Sequence, residues 1–159
     1  MTLVLEREDT DTAVVESFAI APRAKESLPL FRGRCTVVRL ASIDNDVLGV
    51  PRWSTFAEIW GEPGSARTLR WVDNPVVTVG PHDDPDLVLA TRTPVVVVGI
   101  DNERTAYARV VIDAIRASCN SVLVVDMGHR LTGHSYADVA TFGFDRDRGA
   151  ALIRLLTAR

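Results

Sequence analysis

Pro94-Val95-Val96-Val97-Val98-Gly99-Ile100 and Ser121-Val122-Leu123-Val124-Val125-Asp126-Met127 are two apolar runs with no alternation of polar and apolar residues. A strand with one wet face shows a period of two, whereas a continuous run is what a parallel strand covered on both faces requires. Helices are therefore expected on each side of the sheet. Between the runs, Glu103 to Ser118 places Tyr107, Val110, Val111, Ala114 and Ile115 on one helical stripe, with Arg109, Asp113 and Arg116 turned to solvent. Asp101 or Asn102 is placed to cap the start of this helix and Asn120 its end. Pro94 to Met127 thus reads as a βαβ unit, a crossover that is nearly always right-handed.

Working outward, Cys35 to Leu40 and Pro75 to Val79 supply two further strands. A last helix is expected after Asp145, because Gly149, Leu152, Ile153 and Leu156 share a face, and Asp145 and Asp147 suit the positive end of a helix dipole. A short helix is expected over Ser54 to Trp60, ended by Glu62-Pro63-Gly64-Ser65, and another over residues 10 to 20. The fold class that follows is α/β, a three-layer sandwich with a mainly parallel central sheet flanked by helices. Residues 1–34 read as an N-terminal extension with a first helix and residues 35–159 as the α/β domain, one structural domain overall.

The 159 residues are 47% apolar and 25% charged, the balance of a single globular unit, and a chain of this size can bury roughly 69% of its extended surface. A catalytic (β/α)₈ barrel needs about 250 residues, so one does not fit. The net charge of −3 comes from 18 basic and 21 acidic residues mixed along the chain, with no basic stripe to neutralise phosphates, and no nucleic acid partner is expected. The N-terminus turns acidic after three apolar residues, and no apolar run approaches about 20, so neither a signal peptide nor a membrane span is expected and a cytoplasmic location follows. Cys35 and Cys119 lie far apart without paired spacing, as suits two buried reduced thiols. Lys25 is the sole lysine, which removes lysine chemistry elsewhere.

The motifs that could carry chemistry are incomplete. Gly133-His134-Ser135-Tyr136-Ala137 looks like a nucleophile elbow, but it does not leave a strand directly and no histidine follows it to complete a triad. Asp44-Asn45-Asp46-Val47-Leu48-Gly49 starts like a calcium loop, yet Leu48 holds a ligand position and Thr55 stands where a bidentate Glu belongs. Pro81-His82-Asp83-Asp84-Pro85-Asp86 reads as a turn with capping aspartates. His129 and His134 lack the i, i+4 spacing of a helical zinc pair, and no glycine-rich phosphate loop follows a strand. No metal, no cofactor and no catalytic residue are therefore expected. What remains is position: ligands of open parallel sheets bind beyond the carboxyl ends of the strands. There the chain offers Asp101, Asn102 and Arg104 after one strand and Gly128, His129 and Arg130 after the next.

Over about residues 35 to 157 the sequence resembles the C-terminal domain of glycoside hydrolase family 3, in its β-N-acetylglucosaminidase-like branch. The resemblance rests on Val37-Val38-Arg39-Leu40 followed by Asn45, Gly49, Pro51 and Trp53. It continues through Val95 to Val98 with Asp101, Arg104 and Tyr107, Val124-Val125-Asp126-Met127-Gly128, and Ala140-Thr141-Phe142-Gly143 with Arg146. It implies a non-catalytic α/β domain that packs against a catalytic barrel, in cis or in trans, with the nucleophile and acid/base groups on that barrel. Asp101, Arg104, Gly128, His129 and Arg146 are then the candidates for ligand or domain contact, and Trp53, Trp60 or Trp71 for anchors on a docking face. A homodimer would be another way to cover that face. Ile100-Asp101-Asn102-Glu103 departs from the family, whose loop reads Arg-Asp followed by His and Trp. Glu103 is the carboxylate nearest a strand end, but its spacing does not match the acid/base glutamate that β-glucosidase-type members take from this domain. The alternative reading is a freestanding α/β module that binds a small polar ligand at the Asp101/His129 edge; a hydrolase built on Ser135 or His134 is the third.

Overall fold

The computed structural model describes residues 12–40, 74–84 and 92–157. In chain order the elements are β1 (Ala19–Ile20), α1 (Pro22–Ser27), a 3₁₀ turn (Leu28–Phe31), β2 (Thr36–Leu40), β3 (Val76–Val79), β4 (Val95–Gly99), a second 3₁₀ turn (Asn102–Arg104), α2 (Ala106–Ser118), β5 (Val122–Asp126), β6 (Val139–Ala140) and α3 (Arg146–Thr157). The strands form one sheet in the order β1-β6-β5-β4-β2-β3, parallel throughout except for β1, which pairs antiparallel with β6. The fold is an α/β sandwich with a mainly parallel sheet and helices on both faces.

Double-sided burial explains the valine runs. Every residue of β4 is buried, and along the sheet successive side chains divide between two cores. Val37, Val96, Val98, Leu123 and Val125 face one core with Leu152, Ile153 and Leu156 of α3 and with Phe18, Ala24, Leu28 and Phe31 of the N-terminal segment. Val38, Leu40, Val79, Val95, Val97 and Val124 face the other, under Ala108, Val111, Ile112 and Ile115 of α2. Residues 18–31 thus share a core with α3.

The structure corrects several local readings. The stripe that α2 buries is Ala108, Val111, Ile112 and Ile115, while Val110 is 60% exposed and Tyr107 and Ala114 are half-buried. The spacing i, i+3, i+4, i+7 fits both sets, and only the sheet decides which one faces inward. Neither Asp101 nor Asn102 caps α2: Thr105 occupies that position, its hydroxyl donating back to Asp101 O at 2.9 Å and not capping the helix, and the preceding residues form the 3₁₀ turn. At the far end the cap is Cys119, not Asn120. Residues 12–16 are helical, but Ala19–Ile20 is a strand, and like β6 it is too short for periodicity to reveal. Asp145 does cap α3: its Oδ1 accepts from the Arg148 N–H at 3.0 Å. Burial alone would raise its carboxyl, yet the Arg148 N–H and guanidinium hold it below the ordinary range. The expected helix at Ser54 to Trp60, the calcium-like stretch at Asp44 to Gly49 and the three tryptophans lie outside the described residues. Among the described residues no helix is long and apolar enough to cross a membrane.

Both cysteines are free. Cys35 is completely buried, its Sγ accepts from Asn74 Nδ2 at 3.3 Å, and burial pushes its thiol up to about 12. Two outcomes follow. Ile112→Ala should cost about 2–5 kcal/mol in denaturant unfolding, whereas Val110→Ala, on the same helix, should change stability by less than about 0.5 kcal/mol. A thiol reagent should modify Cys119 in the folded protein and reach Cys35 only on unfolding, as mass mapping of the labelled cysteines would show.

Candidate functional site

In their own chain order the five parallel strands lie 2-1-3-4-5, the arrangement of doubly wound sheets whose ligands sit beyond the carboxyl ends. Those ends are organised by a residue that the sequence reading did not count among the site candidates. Asp126, the last residue of β5, is 5% exposed, and its carboxylate collects three backbone amides. Oδ1 accepts from Asp101 N at 2.9 Å and Gly128 N at 2.8 Å, and Oδ2 accepts from Asn102 N at 2.9 Å. Burial pushes this carboxyl above the ordinary aspartate range, against the lowering pull of the three amides. A charged residue closing a continuous valine run was the signal available.

The loop so held is tightly shaped. Asp101 has φ 54°, the left-handed region that an aspartate tolerates better than most residues. Asn102 is completely buried, and its Nδ2 donates to Val125 O at 3.2 Å and Tyr136 O at 3.1 Å, which ties the β4 loop to both sides of the β5 loop. Its Oδ1 has no hydrogen-bond partner and crowds Gly99, where an added Cβ would lie 2.0 Å away. Gly128 is under the same constraint: a Cβ there would lie 2.2 Å from Asp101 Oδ1. Both positions need glycine because a neighbouring side chain already fills the space.

Of the five candidates, the structure brings Asp101 and Gly128 together over Asp126 and places Arg104 on the same crevice. That crevice is lined also by Glu103, Arg130 and Tyr136 and has an inner volume of about 10 Å³, room for one water. A sugar ring does not fit a space that small. His129 is elsewhere: it is exposed and its ring packs on Phe144, 5.4 Å between centroids. Arg146 is the first residue of α3. Near it, Phe142 has φ 58°, an outlier for a bulky residue. Thr141 and Arg148 brace that bend, with Thr141 Oγ1 donating to Gly143 O at 2.7 Å and Arg148 Nε to Thr141 O at 3.0 Å.

The segment 133–137 is a loop. His134 Nδ1 lies 2.7 Å from Ala137 O, the Ser135 carbonyl accepts from Arg116, and Tyr136 Oη donates to Asp113 at 3.0 Å. Among the described residues nothing there aligns an imidazole with the serine hydroxyl as a nucleophile would require. Asp83 turns back on the chain, accepting from Gly80 N at 2.7 Å. Among the described residues no group of three or more His, Cys, Asp or Glu is placed to hold a metal ion.

Asp126→Asn should destabilise the fold by about 2–4 kcal/mol at neutral pH, because an amide nitrogen then faces a buried N–H. In the parent the pH dependence has a defined sign. A carboxyl whose folded pKa is raised binds its proton more tightly when folded, so its stabilising contribution is present below the ordinary aspartate pKa and is lost as pH rises through the folded value. Carbon-detected NMR titration of the Asp126 carboxyl should place its midpoint above that of exposed aspartates.

No protein-family model matches this sequence, and no curated protein matches it. Among solved structures, the chain is similar to part of a fungal multi-domain GH3 β-N-acetylglucosaminidase described as containing a GCN5-related glucosamine N-acetyltransferase region. The TM-score is 0.55 at 7% sequence identity, over 79% of this chain. The match spans 14% of the fungal chain's length, and at this identity it bears on the fold alone.

Proposed function

We propose that this chain is the α/β accessory domain of a family 3 glycoside hydrolase of the β-N-acetylglucosaminidase type, with residues 35–159 as the family-like domain and residues 1–34 as its extension. Its task is to pack beside a catalytic barrel carried elsewhere, in cis or in trans. The observation that carries the reading is the shared fold with part of a GH3 β-N-acetylglucosaminidase, joined to the motif order that runs from Val37 to Arg146.

The commitments of the aspartates named here fit a non-catalytic role. Retaining hydrolysis of a glycoside uses two carboxyl groups about 5–5.5 Å apart across the sugar. Here Asp126 is committed to three amides, Asp138 to two arginines, Asp145 to Arg148 and Asp113 to Tyr136. Asp101, Arg104 and Gly128 would shape the rim that meets the barrel, and His129 and Arg146, outside the crevice, would be further contact candidates. A second reading is a freestanding module that binds a small polar ligand at the Asp101/His129 edge.

The purified chain should release no chromophore from a chromogenic N-acetylglucosaminide, and robust turnover would overturn the proposal. Calorimetry against sugars and nucleotides separates the two readings, since a buttressing domain should show no heat with any of them. Heat from one of those ligands that Arg104→Ala abolishes would establish the binding module instead.

A further inference from the structure

At the opposite end of the sheet from that crevice lies a groove of about 330 Å³ lined by Arg23, Ser27, Arg116, Cys119, Asn120 and Asp138, together with Ala24 and Val122. Asp138 immediately precedes β6 and its side chain is 6% exposed. Its Oδ2 accepts from Val124 N at 2.9 Å and its Oδ1 from Arg23 Nε and Nη2 at 3.1 and 2.9 Å; Arg116 Nη2 stands 3.5 Å from Oδ2. Arg23 Nη2 also donates to His134 O at 3.2 Å, and Arg116 Nη1 to Ser135 O. The Arg116 guanidinium lies 5.9 Å over the Tyr136 ring. Both forks are thus turned toward Asp138, Arg116 with its side chain 28% exposed and Arg23 with its side chain 64% exposed.

They also have capacity to spare. A guanidinium carries five N–H donors, and these bonds leave both Nη1 hydrogens of Arg23 and, on Arg116, the Nε hydrogen with one hydrogen on each Nη uncommitted among the described residues. Two arginines meet one carboxylate in the groove's lining, and the neighbouring Asp113 carboxylate accepts from Tyr136 Oη. The groove is at the lower end of the volumes that small-molecule sites occupy. We infer that this groove binds a small oxyanion, a phosphate- or carboxylate-bearing molecule, between the forks of Arg23 and Arg116, with the Asn120 amide at its rim. Asp138 is the positioning residue, aiming the two arginines without touching the ligand. Binding should strengthen as the ligand ionises, because a guanidinium fork pairs with the anionic form.

The test is a titration of the isotopically labelled chain with inorganic phosphate, and in parallel with acetate, at constant ionic strength set by chloride. The Nε–H signals of Arg23 and Arg116 and the Asn120 side-chain amide should shift and saturate at millimolar concentration. Whichever oxyanion binds more tightly names the headgroup. Arg116→Lys keeps the charge beside Asp138 but loses the fork, and should weaken binding about tenfold or more while leaving the melting temperature within a few degrees. Shifts that fail to saturate, that chloride reproduces, or that the lysine variant leaves unchanged would overturn the inference. Should that variant not fold, the Nε–H response of the parent chain decides the question alone.

Discussion

Burying β4 and β5 on both faces is the constraint from which the rest follows. A strand with no wet face needs a helix above and a helix below, and each must present an apolar stripe of its own. α2 answers on one side, and α3 with the N-terminal segment on the other. Between β4 and β5 the return passes over a face of the sheet, so there the crossover helix α2 is also a covering layer. The N-terminal residues 18–31 pack beside α3 in the other core.

A sheet built this way confines its polar problems to its two ends, and two buried carboxylates handle them. At the carboxyl end Asp126 accepts the amides of the loops that leave β4 and β5. At the other end Asp138 joins the β5 backbone to a pair of arginines from α1 and α2. Each compensates for burial with bonds to donors that would otherwise be stranded. Their partners differ: burial leaves Asp126 with a raised pKa despite its three amides, and Asp138 is bonded to arginines. The loops at the carboxyl end are consequently closely spaced, around a crevice with room for about one water.

Most of the fold was legible because the interaction that contributes most to it, continuous apolar burial, is written directly in residue order. Val95 to Val98 and Val122 to Val125 announce parallel strands, and Asp145 announces the cap of α3. The candidate site was half legible. Position after a strand pointed to Asp101, Arg104 and Gly128, but Asp126, quoted only within the Val124 to Gly128 segment, was not taken as a site residue because a single carboxylate ending an apolar run gives no sign of which amides it will meet. Val110 misled because helical periodicity has no absolute phase: two apolar stripes wind around α2, and the one that packs is chosen by the sheet. Asp101 misled because residues 102–104 form a 3₁₀ turn before α2 begins.

Local order thus determined the kind of elements and their layering, since hydrophobic periodicity and the covering of strands are properties of neighbours along the chain. Only the tertiary structure decided the strand order, the antiparallel addition of β1 to β6, and the meeting of Arg23 with Asp138, 115 residues apart. Those choices depend on charges and short strands whose partners lie far off in sequence, and such pairings leave no periodic trace because each is a single contact, formed once the larger apolar surfaces have brought its members together.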